Sequence, residues 1–130
     1  MTVVADALVL IVDDNELNVK LARDVLRFAG FRTLEAGSGS AGVALATEHL
    51  PDVILMDIRL PDMDGTEALR LLRDEPRTAR IPVVAATSFA MKGDRDRFLA
   101  EGFDGYLEKP ISVRDFPDQV RGYCLVSKED

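Results

Sequence analysis

Three apolar runs lacking any polar alternation constrain this chain most: "ALVLIV" (7–12), "VILM" (53–56) and "IPVVAA" (81–86). A strand with one wet face alternates polar and apolar residues, so runs this uniform predict strands buried on both faces, as in a parallel sheet. Parallel neighbours cannot be joined by a tight hairpin; each pair needs a crossover of a dozen or more residues, usually a helix. The stretches between the runs meet that need. Leu17, Leu21, Val25 and Phe28 recur at helical spacing, with Gly30 placed to end the turn. "SAGVALATEHL" (40–50) stops before Pro51, "GTEALRLLRD" (65–74) precedes Pro76, and "DRDRFLAEG" (94–102) ends on glycine. Two weaker strands complete the set, "RTLEA" (32–36) after Gly30 and "GYLEK" (105–109), whose mixed pattern suits a sheet edge.

A last helix is expected where Val113, Phe116 and Val120 face one way, opened by a Ser112–Asp115 pair resembling a capping box. Pro117, read as lying beyond the first turn, predicts a kink or a frayed start, because proline removes a backbone donor. The sum is a β-α unit repeated about five times. That pattern defines an α/β fold with a doubly wound five-stranded parallel sheet, whose right-handed crossovers leave few topologies. The 130 residues suit one domain, read as 1–124 with a short tail at 125–130.

Charge and cysteine usage narrow the function. The formal net charge of −7 argues against a nucleic-acid binder, which carries a basic face. The one cysteine, Cys124, cannot form an internal disulfide and reads as packing beside Val120, consistent with a reducing compartment. The first residues lack a signal-peptide pattern, and their apolar run is too short for a bilayer. The expectation is a cytoplasmic protein with no membrane partner. His49, at the end of an Ala-rich helix, lacks a second metal ligand and reads as solvated.

In an open parallel sheet, ligands bind beyond the carboxyl ends of the strands. After the first strand come Asp13 and Asp14; after the third, Asp57; after the fourth, Thr87 and Ser88; at the end of the fifth, Lys109 and Pro110. Any one of these could simply cap a helix, but together they gather three carboxylates, hydroxyls and an ammonium on one edge. Three carboxylates that close would push up at least one pKa. A hard divalent cation removes the conflict, and Mg²⁺ takes a few carboxylate oxygens, waters and phosphate oxygens. Lys109 then suits a phosphoryl group beside the metal, with Thr87 adding a hydroxyl. Asp57, alone on the middle strand, is the best nucleophile, and Asp13 with Asp14 suits gripping metal.

"LIVDDN" (10–15), "ILMDIRLPDMDG" (54–65), "PVVAATS" (82–88) and "YLEKPIS" (106–112), in this order and spacing, resemble a bacterial response-regulator receiver domain over nearly the whole chain. Within that family the stretch from Thr87 to Ser112 is similar to stand-alone cell-cycle receivers of the DivK type and to receivers in hybrid kinases. The resemblance implies a flavodoxin-like sheet of order 2-1-3-4-5 and transfer of a phosphoryl group to Asp57 from a phosphohistidine. The donor would be a sensor histidine kinase or a histidine phosphotransfer protein. It implies Mg²⁺, with Mn²⁺ as a substitute, on Asp14, Asp57 and the Arg59 backbone carbonyl, with Asp13 acting through water. Lys109 would pair with the phosphoryl oxygens, Thr87 would bond one of them, and Ile58 and Ser88 would offer backbone contacts. Tyr106 would change rotamer as Thr87 moves, and the bond before Pro110 would be cis. Arg59 and Phe89 would influence phosphoryl lifetime. Ser88 departs from the alanine common in the family, and Pro117 alters the last helix.

No DNA-binding, catalytic or membrane segment accompanies the site, so output is expected through protein contacts on the face of the fourth helix, fifth strand and fifth helix, by a monomer or weak dimer. Phe89, Ala90, Met91, Phe98 and Tyr106 lie in or near that face, Phe98 reading as core and Tyr106 as the functional residue. The main rival is a Mg²⁺-dependent aspartyl-nucleophile phosphatase, which needs a second aspartate as general acid where this chain has Arg59. A flavin or nucleotide binder would need a phosphate-cradling loop where "DDNEL" stands. A degenerate, binding-only receiver is weakened because every site position is filled.

Overall fold

The computed structural model describes residues 7–88, 91–109 and 111–128, with side chains up to Cys124. Five strands alternate with five helices: β1 (Leu8–Val12), α1 (Glu16–Phe28), β2 (Arg32–Ala36), α2 (Gly39–His49), β3 (Val53–Asp57), α3 (Gly65–Asp74), β4 (Val83–Thr87), α4 (Asp94–Glu101), β5 (Gly105–Glu108) and α5 (Phe116–Lys128). The sheet is parallel, in the order β2-β1-β3-β4-β5. The three uniform apolar runs hold its centre, and the two mixed strands hold its edges.

Because side chains alternate across a strand, the sheet sorts its residues into two cores. Leu10, Val12, Ile54, Met56, Val83, Ala85 and Tyr106 pack with Ala46, Ala68, Leu69, Leu72 and Phe98 under α2, α3 and α4. Val9, Ile11, Val53, Leu55 and Val84 pack with Val19, Ala22, Leu26, Phe116, Val120 and Cys124 under α1 and α5.

The structure corrects two expectations about helices. The spacing of Leu17, Leu21, Val25 and Phe28 suggested a core face, yet Leu17, Leu21 and Phe28 are 79%, 39% and 96% exposed. Of the expected set only Val25 reaches the core, half-buried. The buried face is Val19, Ala22 and Leu26, on the opposite side from Leu17 at 3.6 residues per turn. The helix carries two apolar stripes, and the sheet takes the one whose small Ala22 allows close approach. The second correction concerns Pro117. Helix α5 begins at Phe116, so Pro117 is its second residue, where no intrahelical partner exists for its missing N–H. The start is held by the Phe116 amide donating to the Ser112 carbonyl (2.8 Å) and the Asp115 amide to Ser112 Oγ (3.3 Å), so the proline costs no bond. Val113, expected on that helix, sits in the turn before it and is exposed.

Candidate functional site

Each expected site residue arrives at the carboxyl end of the sheet by the register of its strand. Val12 pairs with Met56, and Asp57 with Ala86, so the residue after β1 and the last residue of β3 lie side by side. Alternation turns Asp13 and Asp57 to the α1/α5 side, in step with Ile11 and Leu55. Lys109, two residues beyond Leu107, falls on the same side, and its amide donates to the Thr87 carbonyl at 2.8 Å. Thr87 and Tyr106 have the other parity and belong with Ala85 on the α4 side.

The result is a compact charged cluster. Ligand oxygens of Asp13, Asp14 and Asp57 lie within 4.8 Å of one another. The Lys109 ammonium is bonded to Asp13 Oδ2 and stands 3.6 Å from Asp57 Oδ1. Asp13 is buried and accepts from the Asn15 amide at 2.9 Å, while Asp14 is exposed at the rim. A small cavity of about 60 Å³, walled by Leu55, Ala86, Leu107 and Phe116, lies behind Lys109. Burial pushes the Asp57 carboxyl up to about 6, with Lys109 working against the shift and Asp13 adding to it.

Three carboxylates set against one ammonium leave the cluster two negative charges in excess. Oxygen donors grouped with that excess fit a hard divalent cation such as Mg²⁺.

The remaining expected residues separate into two groups. Thr87 is buried at the end of β4 and Ser88 is exposed beyond it. The Ile58 amide is already committed to the Ala86 carbonyl (3.2 Å), whereas the next amide, Arg59, reaches Asp57 Oδ1 at 3.4 Å. The loop donor facing the carboxylate is therefore that of Arg59. Tyr106 is 7% exposed, its ring stacked on Phe98 with centroids 5.9 Å apart. Its hydroxyl is buried with no hydrogen-bond partner among the described residues. Met91 is exposed beside this region. Phe89, Ala90 and the bond before Pro110 lie outside the described residues.

Sequence reasoning missed several polar residues, three beside the site (Asn15, Asp62 and Asp64) and one, Arg73, at the amino end of the sheet. Asn15 caps α1, accepting from the Leu17 and Asn18 amides, and Asp64 caps α3, accepting from the Glu67 amide at 3.0 Å; a polar residue just before a helix was a readable signal for both. Asp62 bonds across to α2, and Arg73 bridges the Ile81 carbonyl (2.7 Å) to Asp104 (2.7 Å). Local sequence carries no signal for either.

A 2-1-3-4-5 parallel sheet with this acidic pocket and lysine at its carboxyl edge defines a receiver-type signalling domain. The chain belongs to the response regulator receiver domain family, whose model matches residues 9–121. It is 47% identical over 115 residues to the polar-differentiation response regulator DivK of Brucella ovis, covering 88% of this chain and 94% of the relative. Among solved structures it is similar to the receiver domain of a Pseudomonas aeruginosa sensor histidine kinase, solved with a magnesium ion coordinated in its active-site cleft. That likeness has 33% identity and a TM-score of 0.83, over 92% of this chain and 98% of the other. It is also similar to a CheY-like receiver domain protein from Methanospirillum hungatei, with 26% identity and a TM-score of 0.83, over 95% of this chain and 98% of the other. Among the described residues no helix is long and apolar enough to cross a membrane.

Proposed function

We propose that this chain accepts a phosphoryl group on Asp57 from a phosphohistidine of a sensor histidine kinase or histidine phosphotransfer protein, in a Mg²⁺-dependent step in the bacterial cytoplasm. The observation that carries this reading is the grouping of Asp13, Asp14 and Asp57 within 4.8 Å, with the Lys109 ammonium among them. Asp14, Asp57 and the Arg59 carbonyl would hold the metal, with Asp13 helping through water. When bound, Mg²⁺ would neutralise charge developing on the phosphoryl oxygens.

In the transfer, an Asp57 carboxylate oxygen forms the new bond to phosphorus as the phosphorus–nitrogen bond to imidazole breaks. The departing ring nitrogen keeps that electron pair and, once protonated, is neutral histidine. Asp57 suits the attack because β3 and its half-buried setting fix its direction. Lys109, already beside Asp57, meets the incoming oxygens as a point charge. Thr87 supplies a hydroxyl, and the Arg59 and Ser88 amides lie on the two loops flanking the phosphoryl group. The only reactions promoted are the chain's own phosphorylation and dephosphorylation, so it works as a signalling protein and not as an enzyme on other substrates. Leu17 and Leu21, exposed on α1, offer apolar contact to the donor. Residues 1–124 act as one receiver, a monomer or weak dimer. Its output passes through the α4–β5–α5 face, where Met91 is exposed and Tyr106 responds to Thr87.

Acetyl phosphate with Mg²⁺ tests this by mass spectrometry of the intact protein. The expected result is the gain of one phosphoryl group, lost in Asp57→Asn and lost when the metal is chelated. A gain that survives Asp57→Asn, or no gain in the wild type, overturns the assignment.

A further inference from the structure

The loop from Ile58 to Asp64 is closed at its base on the phosphoacceptor. The Gly65 amide donates to the Ile58 carbonyl at 2.7 Å, and Arg59 and Asp64 form an antiparallel bridge. A Cβ on Gly65 would stand 2.7 Å from the Asp57 carbonyl oxygen, so helix α3 starts flush against Asp57. The tip of the loop is fixed elsewhere. Asp62 Oδ1 accepts from the Gly39 amide at 2.8 Å, and Oδ2 from the Ser40 amide at 3.0 Å and the Ser40 hydroxyl at 2.7 Å.

Helix α2 already has its own cap, Ser38, which accepts from the Ala41 amide at 3.2 Å. Asp62 therefore takes the orphan amides that Ser38 leaves, from more than twenty residues away in the chain. Beside it Met63 is packed so closely that a Cβ on Gly39 would lie 2.4 Å from Met63 Cγ. A carboxylate at a helix N-terminus gains from the aligned peptide dipoles and from charge-assisted bonds. Those bonds hold Asp62 well below the usual carboxylate range, at about 2.

We infer that Asp62 is a positioning residue: it latches the tip of the β3–α3 loop to the start of α2 and so holds the Arg59 backbone in place beside Asp57 for metal capture. The inference rests on the proposed receiver function. With base and tip both pinned, the backbone carrying the Arg59 carbonyl loses freedom before the metal arrives, and that ordering is no longer charged against binding. Released at the tip, the loop keeps only its base bonds, and the Arg59–Asp64 bridge is left to hold the Arg59 carbonyl by itself.

Manganese binding to the full chain, followed by electron paramagnetic resonance, separates this from a plain stabilising role. Asp62→Ala is expected to weaken Mn²⁺ binding by about tenfold, the usual scale for groups that orient metal ligands. Asp62→Asn, which keeps one accepting oxygen, recovers part of the loss, and Ser40→Ala shows a smaller loss in the same direction. Ser38→Ala, which weakens the same helix start without touching the loop, lowers the melting temperature and leaves Mn²⁺ affinity unchanged. Should Asp62→Ala fail to fold, Ser40→Ala carries the test. Wild-type affinity in the folded Asp62 and Ser40 variants, or an equal loss in Ser38→Ala, overturns the latch alone. A wild type that takes up neither Mn²⁺ nor a phosphoryl group overturns the proposed function, and the latch with it.

Discussion

The two sides of Asp57 are built differently. On one side stand the β3–α3 loop and α3: Gly65, Ala68, Leu69 and Leu72 are buried, Asp64 caps the helix, and Asp62 reaches across to α2. On the other stands α4, an eight-residue helix with Phe98 as its buried residue. It starts at Gly93 with φ 89° and no side-chain cap bond. Its added ties are an Asp94–Arg97 pair whose arginine is exposed, the bond from the Met91 amide to Asp94, and a 3.3 Å bond from the Thr66 hydroxyl on α3 to Glu101. Ion pairs with an exposed partner contribute little. Elements with few buried contacts sit at the low end of local stability. The side that aims Asp57 is thus rigid, and the side that carries Thr87 and Tyr106 toward α4 is loosely held. The charge that the proposed phosphoryl transfer would add at Asp57 would bias the loose side.

The largest expected effect tests that contrast directly. Leu72→Ala opens a cavity in a fully buried position and should cost about 2–5 kcal/mol in denaturant unfolding. Leu99→Ala, at a 37% exposed position on α4, should stay within about 0.5 kcal/mol. Similar losses at both would break the comparison.

A middle-sized effect sharpens it. The Tyr106 hydroxyl is buried without a partner among the described residues, a state that costs about 1–3 kcal/mol. Tyr106→Phe should therefore raise stability, by about 1 kcal/mol once the relaxation of a loosely packed neighbour is allowed for. A loss on thermal melting would mean that the hydroxyl is satisfied and that the α4 side is tighter than described.

The smallest effect is a pH dependence on the rigid side. Hydrogen bonds from Ser40 and Gly39 lower the Asp62 carboxyl from 3.8 to about 2. A group lowered in the folded state stabilises fully above its unfolded value and loses that contribution as pH falls through the folded one. The gap in melting temperature between wild type and Asp62→Asn should thus be constant near neutrality and close as pH drops from about 4 towards 2. It should also shrink at high salt, because Asp62 is exposed. A gap that ignores pH would show that the charge on Asp62 does no holding.

Most of the frame was legible because it rests on short-range signals. The uniform runs became β1, β3 and β4, the mixed ones became the sheet edges, and Asp57 closed its strand where apolar residues gave way to a carboxylate. What misled was a signal with two solutions. The spacing of Leu17, Leu21 and Phe28 satisfies an amphipathic helix as well as Val19, Ala22 and Leu26 do. Pro117 misled differently: whether proline breaks a helix or opens one depends on where the first turn lies, and the Ser112 bonds decided that.

By itself the sequence determined the alternation of strand and helix, the parallel sheet, and the delivery of Asp13, Asp14, Asp57, Thr87 and Lys109 to one edge. Those follow from periodicity and from which residues end each strand. Only the tertiary structure decided which stripe of α1 is buried, that Lys109 bonds Asp13 while standing 3.6 Å from Asp57, and that Asp62 ties its loop to α2. Such pairings join residues far apart in the chain. They depend on strand register and helix rotation, and these are set when whole elements pack, because no local stretch contains both partners.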